Sequence, residues 1–442
     1  MSSLSEFTID ILRRAVAGEA AAIRCVTRLQ PAGGKGDKVF PPTYAVDKVD
    51  KMAKTRYAVE TRRVDGQEVH TVLLDSVASQ ANRMEEALLA AWEERRLDFP
   101  VISVDFANED GIGDLGRITT LQAPHRIADA LLRDSVDQAG TRFRDTAPGR
   151  SYTDASIKNA TAVYQYCPTA LVFGVWDSTG PRGGLGKKIQ RALVSEIIGV
   201  EAVAGSKTIS RIDPAGIQGN VPVFHRADDR DDWTAEESEA LLEEGKPVPF
   251  SRKGGEGKGE GTGRRSTGKP SAINHSNFPP SIDGTAGGVT FDYALQTTVL
   301  SLPALRRLSF SSDSSGNRLE GDRRVAAERA ARTALAALAL AAITEQRDRG
   351  YDLRSRSFLV PEEGGALVFE LVPADGGEPQ RYSISCKAAT KLLAAASSEA
   401  SELGLPWERE PLALKPAPKL SALIRESRKR AAAGDIDAEG AN

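Results

Sequence analysis

The sequence is short of the residues that build disulfide scaffolds, metal centres and membrane spans. Its three cysteines, Cys25, Cys167 and Cys386, are far apart and form no CxxC or CxxH pair. That excludes a disulfide framework and the usual structural zinc site, and it fits a reducing cytosol. The four histidines (70, 125, 225 and 275) are dispersed, with no HExxH. The longest apolar run, Ala334 to Ile343, is too short to cross a bilayer and is preceded by Glu328, Arg329 and Arg332. The opening MSSLSEFTIDILRRAVAGEA has no basic region ahead of an apolar core, so no secretory leader is expected. An excess of one charge is missing too: 58 Lys and Arg face 61 Asp and Glu, for a net charge of −3. Nucleic-acid binders are often basic overall, so this balance argues mildly against one. A soluble, cytoplasmic protein with no cofactor, no metal and no membrane partner is expected.

What is present is a long, well-mixed chain. It has 442 residues, 40% of them apolar, enough for a sizeable core and two to three domains. The charges are segregated. Asp228 to Glu244 carries nine acids and one Arg, and Ser251 to Pro270 carries six bases, two acids and seven glycines. Residues 151–227 carry eight bases against five acids. Such segregation is compatible with a basic groove on an acidic body, and equally with solvated loops.

The coarse pattern is α+β, with strands and helices segregated rather than strictly alternating and no internal repeat. A helix is predicted over 4–17 and a strand over 21–29, followed by the loop PAGGKGDKVFPPT. Residues 57–64 and 68–75 suit a hairpin across Asp65-Gly66. Asp75-Ser76 caps a predicted helix running from Val77 to about Arg96, with Met84, Leu88 and Leu89 inward. A strand over 99–106 and a helix over 124–133 follow. Residues 168–198 read as buried strand, glycine loop and helix. The tract 251–269 has almost no apolar residue and is expected to be mobile. A strand over 289–302, an alanine-rich helix over 322–349, strands over 358–371 and 380–385, and helices over 387–403 and 419–433 complete the chain.

Several constellations bear on function. The loop GPRGGLGKK (180–188) suits phosphate, since backbone N–H groups at a helix start attract anions. It is not a Walker A motif: Pro181 replaces its first glycine and Lys188 its Ser or Thr. What remains is Arg182, Lys187, Lys188 and Arg191 beside Gly183 and Gly184, which suits a sugar-phosphate backbone or a plain solvated turn. Ser79, Gln80, Asn82 and Arg83 line a polar helix start that is either a groove wall or an ordinary outer face. His125-Arg126 has no partner Ser or Cys to make a dyad. His275, Asn277 and Phe278 lie in the compact loop HSNFPPS, where a ring could stack on a base or simply stiffen a turn. Carboxylate pairs such as Asp105 with Asp110, or Asp75 with Glu85, are of the type that binds magnesium, and also ordinary surface acids.

Together, LDSVASQANRMEEAL (74–88), APHRIADALLRDS (123–135), LVFGVWDSTGPRGGLGKKIQRALVSEIIG (171–199), HSNFPPS (275–281) and RLQPAGGKGDKVFPPTY (28–44) resemble the backbone RAMP protein of the type I-G (formerly type I-U) CRISPR Cascade. The resemblance spans about residues 10–310. It implies an RRM-like (ferredoxin-like) palm with large thumb and finger insertions and a helical C-terminal part. On that basis, residues 1–227 are the palm with helical and loop insertions, 228–288 an acidic and Gly/Lys/Arg-rich flexible insertion, and 289–442 the remaining palm strands and C-terminal helices. The implied protein is not an enzyme. Copies polymerise head to tail along CRISPR RNA and leave bases free for the target DNA strand. A large subunit, a repeat-RNA-processing subunit and a recruited nuclease-helicase are the other partners. Expected RNA contacts are Lys35, Lys38, Ser79, Gln80, Asn82, Arg83, Arg126, Arg182, Gly183, Gly184, Lys187, Lys188, Arg191, His275, Asn277 and Phe278. No aromatic RNP motif is present, which agrees with holding the backbone rather than stacking bases. The acidic block 228–244 is expected either to meet a basic patch on the next copy or to serve solubility. The alternative is a metal-dependent nuclease of the RAMP type using Asp37, Asp105 or His125.

Overall fold

The computed structural model describes residues 4–45, 55–64, 66–180, 188–251, 267–275 and 277–432. The chain divides into two units: residues 1–204 with 288–421, and residues 205–287 with 422–442. Composition places the corresponding boundaries at 227/228 and 288/289.

The described residues of the first unit build a ten-stranded sheet. Its strands are β1 (Ser5–Glu6), β2 (Ala20–Pro31), β3 (Val59–Val64), β4 (Gln67–Asp75), β5 (Leu193–Val200), β6 (Tyr293–Ser301), β7 (Tyr351–Arg354), β8 (Ser357–Pro361), β9 (Val368–Pro373) and β10 (Gln380–Ser383). Their order is β1-β10-β9-β2-β6-β5-β4-β3, with β8 joining the end of β2 to β7. Every pairing is antiparallel except β1 with β10. Side chains alternate across β2: Ile23, Cys25, Thr27 and Leu29 are buried, while Arg24, Val26 and Arg28 point the other way. On that outer face the charges are paired, Arg24 with Glu370, Arg28 with Glu362, and Arg62 with Glu196.

Three helices, α1 (Val77–Glu93), α2 (Gly321–Arg349) and α3 (Cys386–Glu402), accompany the sheet, and α2 packs against both others. Helix α2 is buried nearly all round from Ala327 to Gln346, which explains its alanine-rich, non-amphipathic sequence. Among the described residues, no helix is long and apolar enough to cross a membrane. A buried polar network fastens the core: the Gln296 amide nitrogen donates to Gln80 (2.9 Å) and Gln346 (3.1 Å), and the Tyr351 hydroxyl donates to the Gln296 oxygen (2.8 Å).

Several local expectations are overturned: the single strand expected over 358–371 is split into β8 and β9, the helix expected over 4–17 begins only at Ile9 after strand β1, and two further departures bear on the site. Among the described residues of 168–198 the helix comes first, then the short strand pair Val175–Trp176 with Lys188–Ile189, and the long strand comes last, so the predicted strand-then-helix order is reversed. A short helix (Thr169–Phe173) begins after Pro168 and ends at Gly174, whose φ of +87° an L residue resists. The segment after the loop is strand β5. The helix expected over 124–133 is broken into a tight turn (Arg126–Ala128) and one helical turn (Ala130–Arg133), with Arg126 itself at φ +52°.

In the second unit, Lys207–Arg211 pairs with Phe278–Asp283 as an antiparallel ladder. The acidic block folds around Arg226, just ahead of it, and its own Arg230: Arg226 bonds Asp228 and Glu239, and Arg230 bonds Glu243. His225 is buried and satisfied, its two ring nitrogens meeting the Arg230 carbonyl (2.6 Å) and the Ser251 amide (3.1 Å).

Candidate nucleic-acid interface

The candidate residues fall in three places in the first unit and one in the second. The first is the loop after β2. Gly34 and Gly36, at φ +94° and +85°, turn it back on itself. Its ends are pinned beside β8: Ala32 N donates to the Phe358 carbonyl (2.9 Å), and Phe40 N to the Arg356 carbonyl (3.1 Å). The Arg356 guanidinium covers the Phe40 ring at 3.9 Å. Lys35 is exposed on this loop. Lys38 lies half-buried against Gly288, where a Cβ would meet its Cγ at 2.6 Å.

The second place is the start of α1, where Ser76 Oγ caps the helix by accepting from Ser79 N (3.3 Å). Buried Asp75 accepts from Gln80 Nε2 (2.6 Å) and Arg83 Nε (2.9 Å). Arg83 also donates to the carbonyls of Asp352 and Leu353, tying α1 to β7. Gln80 is fully buried, and its oxygen accepts from Ser195 Oγ (3.0 Å) and Gln296 (2.9 Å). Gln80 is therefore corrected from a groove contact to a core residue, because both ends of its amide are spent inside. Asn82 is exposed and Ser79 half-buried.

The third place surrounds Glu85 and Arg126. Arg126 is 6% exposed and bonds both Glu85 oxygens and the Gly174 carbonyl (3.0 Å). Arg126 too is corrected: as folded, its guanidinium has no free edge to offer a phosphate. Burial pushes the Glu85 carboxyl up to about 7, against the pull of Arg126. Burial and then Arg126 lower Arg191. The side chains of Arg191 and Lys188 make no hydrogen bond or ion pair among the described residues. Lys188 stands directly across a short antiparallel pair from Trp176. Arg182, Gly183, Gly184 and Lys187 lie outside the described residues.

In the second unit, His275 Nδ1 sits 2.9 Å from buried Asp213, and this bond lowers the Asp213 carboxyl. Asn277 accepts from Asp213 N (2.6 Å) and donates to the Ile217 carbonyl (3.1 Å). Phe278 opens a strand, and its side chain lies outside the described residues.

The acids singled out for metal chemistry are dispersed. Asp75 is engaged by Arg83 and Glu85 by Arg126, so they form no shared pair. Asp37 accepts from the Lys38 amide and Asp105 from the Ala107 amide, both at 2.9 Å. Among the described residues, no three His, Cys, Asp or Glu side chains are grouped to hold a metal ion.

Sequence reading missed Trp176, placed in a buried strand, and the Asp177–Arg144 pair that follows it. Arg144 Nη2 lies 2.8 and 3.0 Å from the two Asp177 oxygens, and Nη1 donates to the Thr179 carbonyl (2.9 Å).

Residues 23–204, which hold all three first-unit places, match the family model described as CRISPR-associated protein GSU0053. The match indicates a CRISPR-associated (Cas) protein. No curated protein matches the chain. The matched span runs from within β2 to just past β5, and it ends before the His275 loop.

Proposed function

We propose that this Cas protein is the non-catalytic CRISPR RNA-binding backbone subunit of a type I-G Cascade, a cytoplasmic complex, and that it polymerises head to tail along the guide. The observation that carries this reading is the strand order β9-β2-β6-β5, antiparallel throughout. Helix α1 lies between β2 and β5 in the chain, and α2 between β6 and β9. This order supports the reading of a split βαβ, RRM-like palm, enlarged by the β3–β4 hairpin and by the insertion between β5 and β6. The paired charges on the sheet's outer face supply little net attraction for phosphate. Lys35, Lys188 and Arg191 make no side-chain ion pair among the described residues and supply cations instead, which suits holding a backbone while base pairing reads the sequence. A large subunit, a repeat-RNA-processing subunit, the target DNA strand and a recruited nuclease-helicase are the partners of this role.

The test is purification from cells that express a CRISPR array and candidate partner subunits, with sequencing of bound RNA. Guide-length RNA in a high-molecular-weight assembly supports the reading. An RNA-free monomer, or magnesium-dependent cleavage lost in Asp37, Asp105 or His125 variants, overturns it.

A further inference from the structure

We propose that Trp176 is a stacking point for a nucleobase of bound single-stranded RNA, flanked by Lys188 and Arg191 as phosphate contacts. This rests on the RNA-binding reading above and departs from it at one point, since a base stacked on Trp176 is one that is not left free to pair.

Trp176 is 54% exposed, an unusual state for the largest apolar side chain. Its orientation is imposed by its neighbours. Val175 is 5% exposed, and Asp177 is buried in its pair with Arg144. In an extended segment successive side chains alternate, so two inward neighbours turn Trp176 outward. The backbone is held as well. Trp176 pairs with Lys188 and Val175 with Ile189, while Arg144 clamps the turn that follows through Asp177 and the Thr179 carbonyl. The indole is presented on a hydrogen-bonded support, so stacking would cost less ordering than on an unpaired segment.

Charge selects the kind of partner. The acids of this locality, Glu85 and Asp177, are buried and neutralised by Arg126 and Arg144. Lys188 and Arg191 make no side-chain hydrogen bond or ion pair among the described residues, and Arg191 shares the field of Glu85 only at longer range, behind Arg126. Arg191 lies close to the turn before Trp176: its Cγ is 2.9 Å from where a Gly174 Cβ would sit. An exposed aromatic face beside unneutralised cations suits a polyanion that carries flat bases. Stacking on such a ring tolerates any sequence, as a guide-binding subunit requires.

The test titrates the full chain with fluorescein-labelled oligouridine, using wild type, W176A, W176F and K188A/R191A. A second labelled oligouridine carries 5-iodouridine for photo-crosslinking and peptide mapping. W176A is expected to weaken binding roughly 5- to 150-fold, with W176F retaining most of the affinity. K188A/R191A is expected to reduce the log–log salt slope by about 1.4. The crosslink should map to the peptide containing Trp176. Wild-type affinity in W176A with no crosslink there overturns the stacking proposal while leaving the RNA-binding role intact. A change in self-association without a change in RNA affinity makes Trp176 a protein contact and overturns it equally. No binding of oligouridine by wild type overturns both readings.

Discussion

Arg126 holds Nε 2.6 Å and Nη2 2.7 Å from the two oxygens of Glu85, and both side chains are nearly sealed from solvent. Their separation of 41 positions joins the inner face of α1 to the tight turn Arg126–Ala128, whose arginine also bonds the Gly174 carbonyl. Removing one partner strands a buried charge. R126M should therefore destabilise the protein by about 3–5 kcal/mol, whereas E85M/R126M recovers much of that loss. Urea unfolding of both variants checks this.

The same pair predicts a pH dependence. The Glu85 carboxyl is raised from its ordinary 4.5 to about 7 in the fold. Between those values the folded state binds more protons than the unfolded state, so this group's contribution to stability falls as pH rises through that window. The double variant E85M/R126M lacks the titration. Its stability relative to wild type should improve from pH 4.5 to 7, as read by thermal unfolding across that range.

Arg83 and the pair Lys35 and Lys38 should behave differently. Arg83 is spent on Asp75 and on two carbonyls of β7, so R83A should cost stability, about 1.5–3 kcal/mol, and leave the salt dependence of RNA binding nearly unchanged. Lys35 is the exposed member of the pair, so K35A should leave unfolding nearly unchanged and reduce the salt slope by up to about 0.7 for a phosphate no longer neutralised. Parallel unfolding and salt titrations separate the two.

Thiol chemistry gives an independent check on packing. Burial and its hydrogen bond to Glu345 push the Cys386 thiol up to about 12, and burial pushes Cys25 up to about 11 and raises Cys167. Ellman's reagent at pH 8 should find no fast-reacting thiol in the folded chain and all three in denaturant.

Gly149 is a backbone contact rather than a flexible point. A Cβ there would lie 1.8 Å from the Phe143 carbonyl oxygen. G149A should lower the melting temperature sharply, while G216A, at an open turn, should cost far less.

Much of this architecture is legible in the sequence where one rule acts alone. Helix α1 announces itself through Ser76 and the stripe of Met84, Leu88 and Leu89. Helix α2 does so through its alanine-rich length. The stretch 168–198 misleads for a physical reason. Leu193 and Ile197 are four apart, a spacing that puts residues on one face of a helix and equally on one face of a strand. Thr169 to Phe173 is buried throughout, so it shows no period at all, and only Pro168 and Gly174 mark its limits. The site was harder to read. Polar residues at a helix start suggest a surface, but Gln80 is claimed by Ser195 and Gln296, and Arg126 by Glu85, partners that no local pattern reveals.

Strand β2 sits in the middle of the main sheet, yet its neighbours β6 and β9 are made long after it. At roughly 5–20 residues per second, a ribosome needs from about fifteen seconds to nearly a minute to reach β6. Throughout that interval an apolar, β-prone segment waits with both edges open. Newly made chains should be most vulnerable to aggregation and most dependent on chaperones in this window, and the β3–β4 hairpin, complete early, is the first sheet element able to form from local contacts alone.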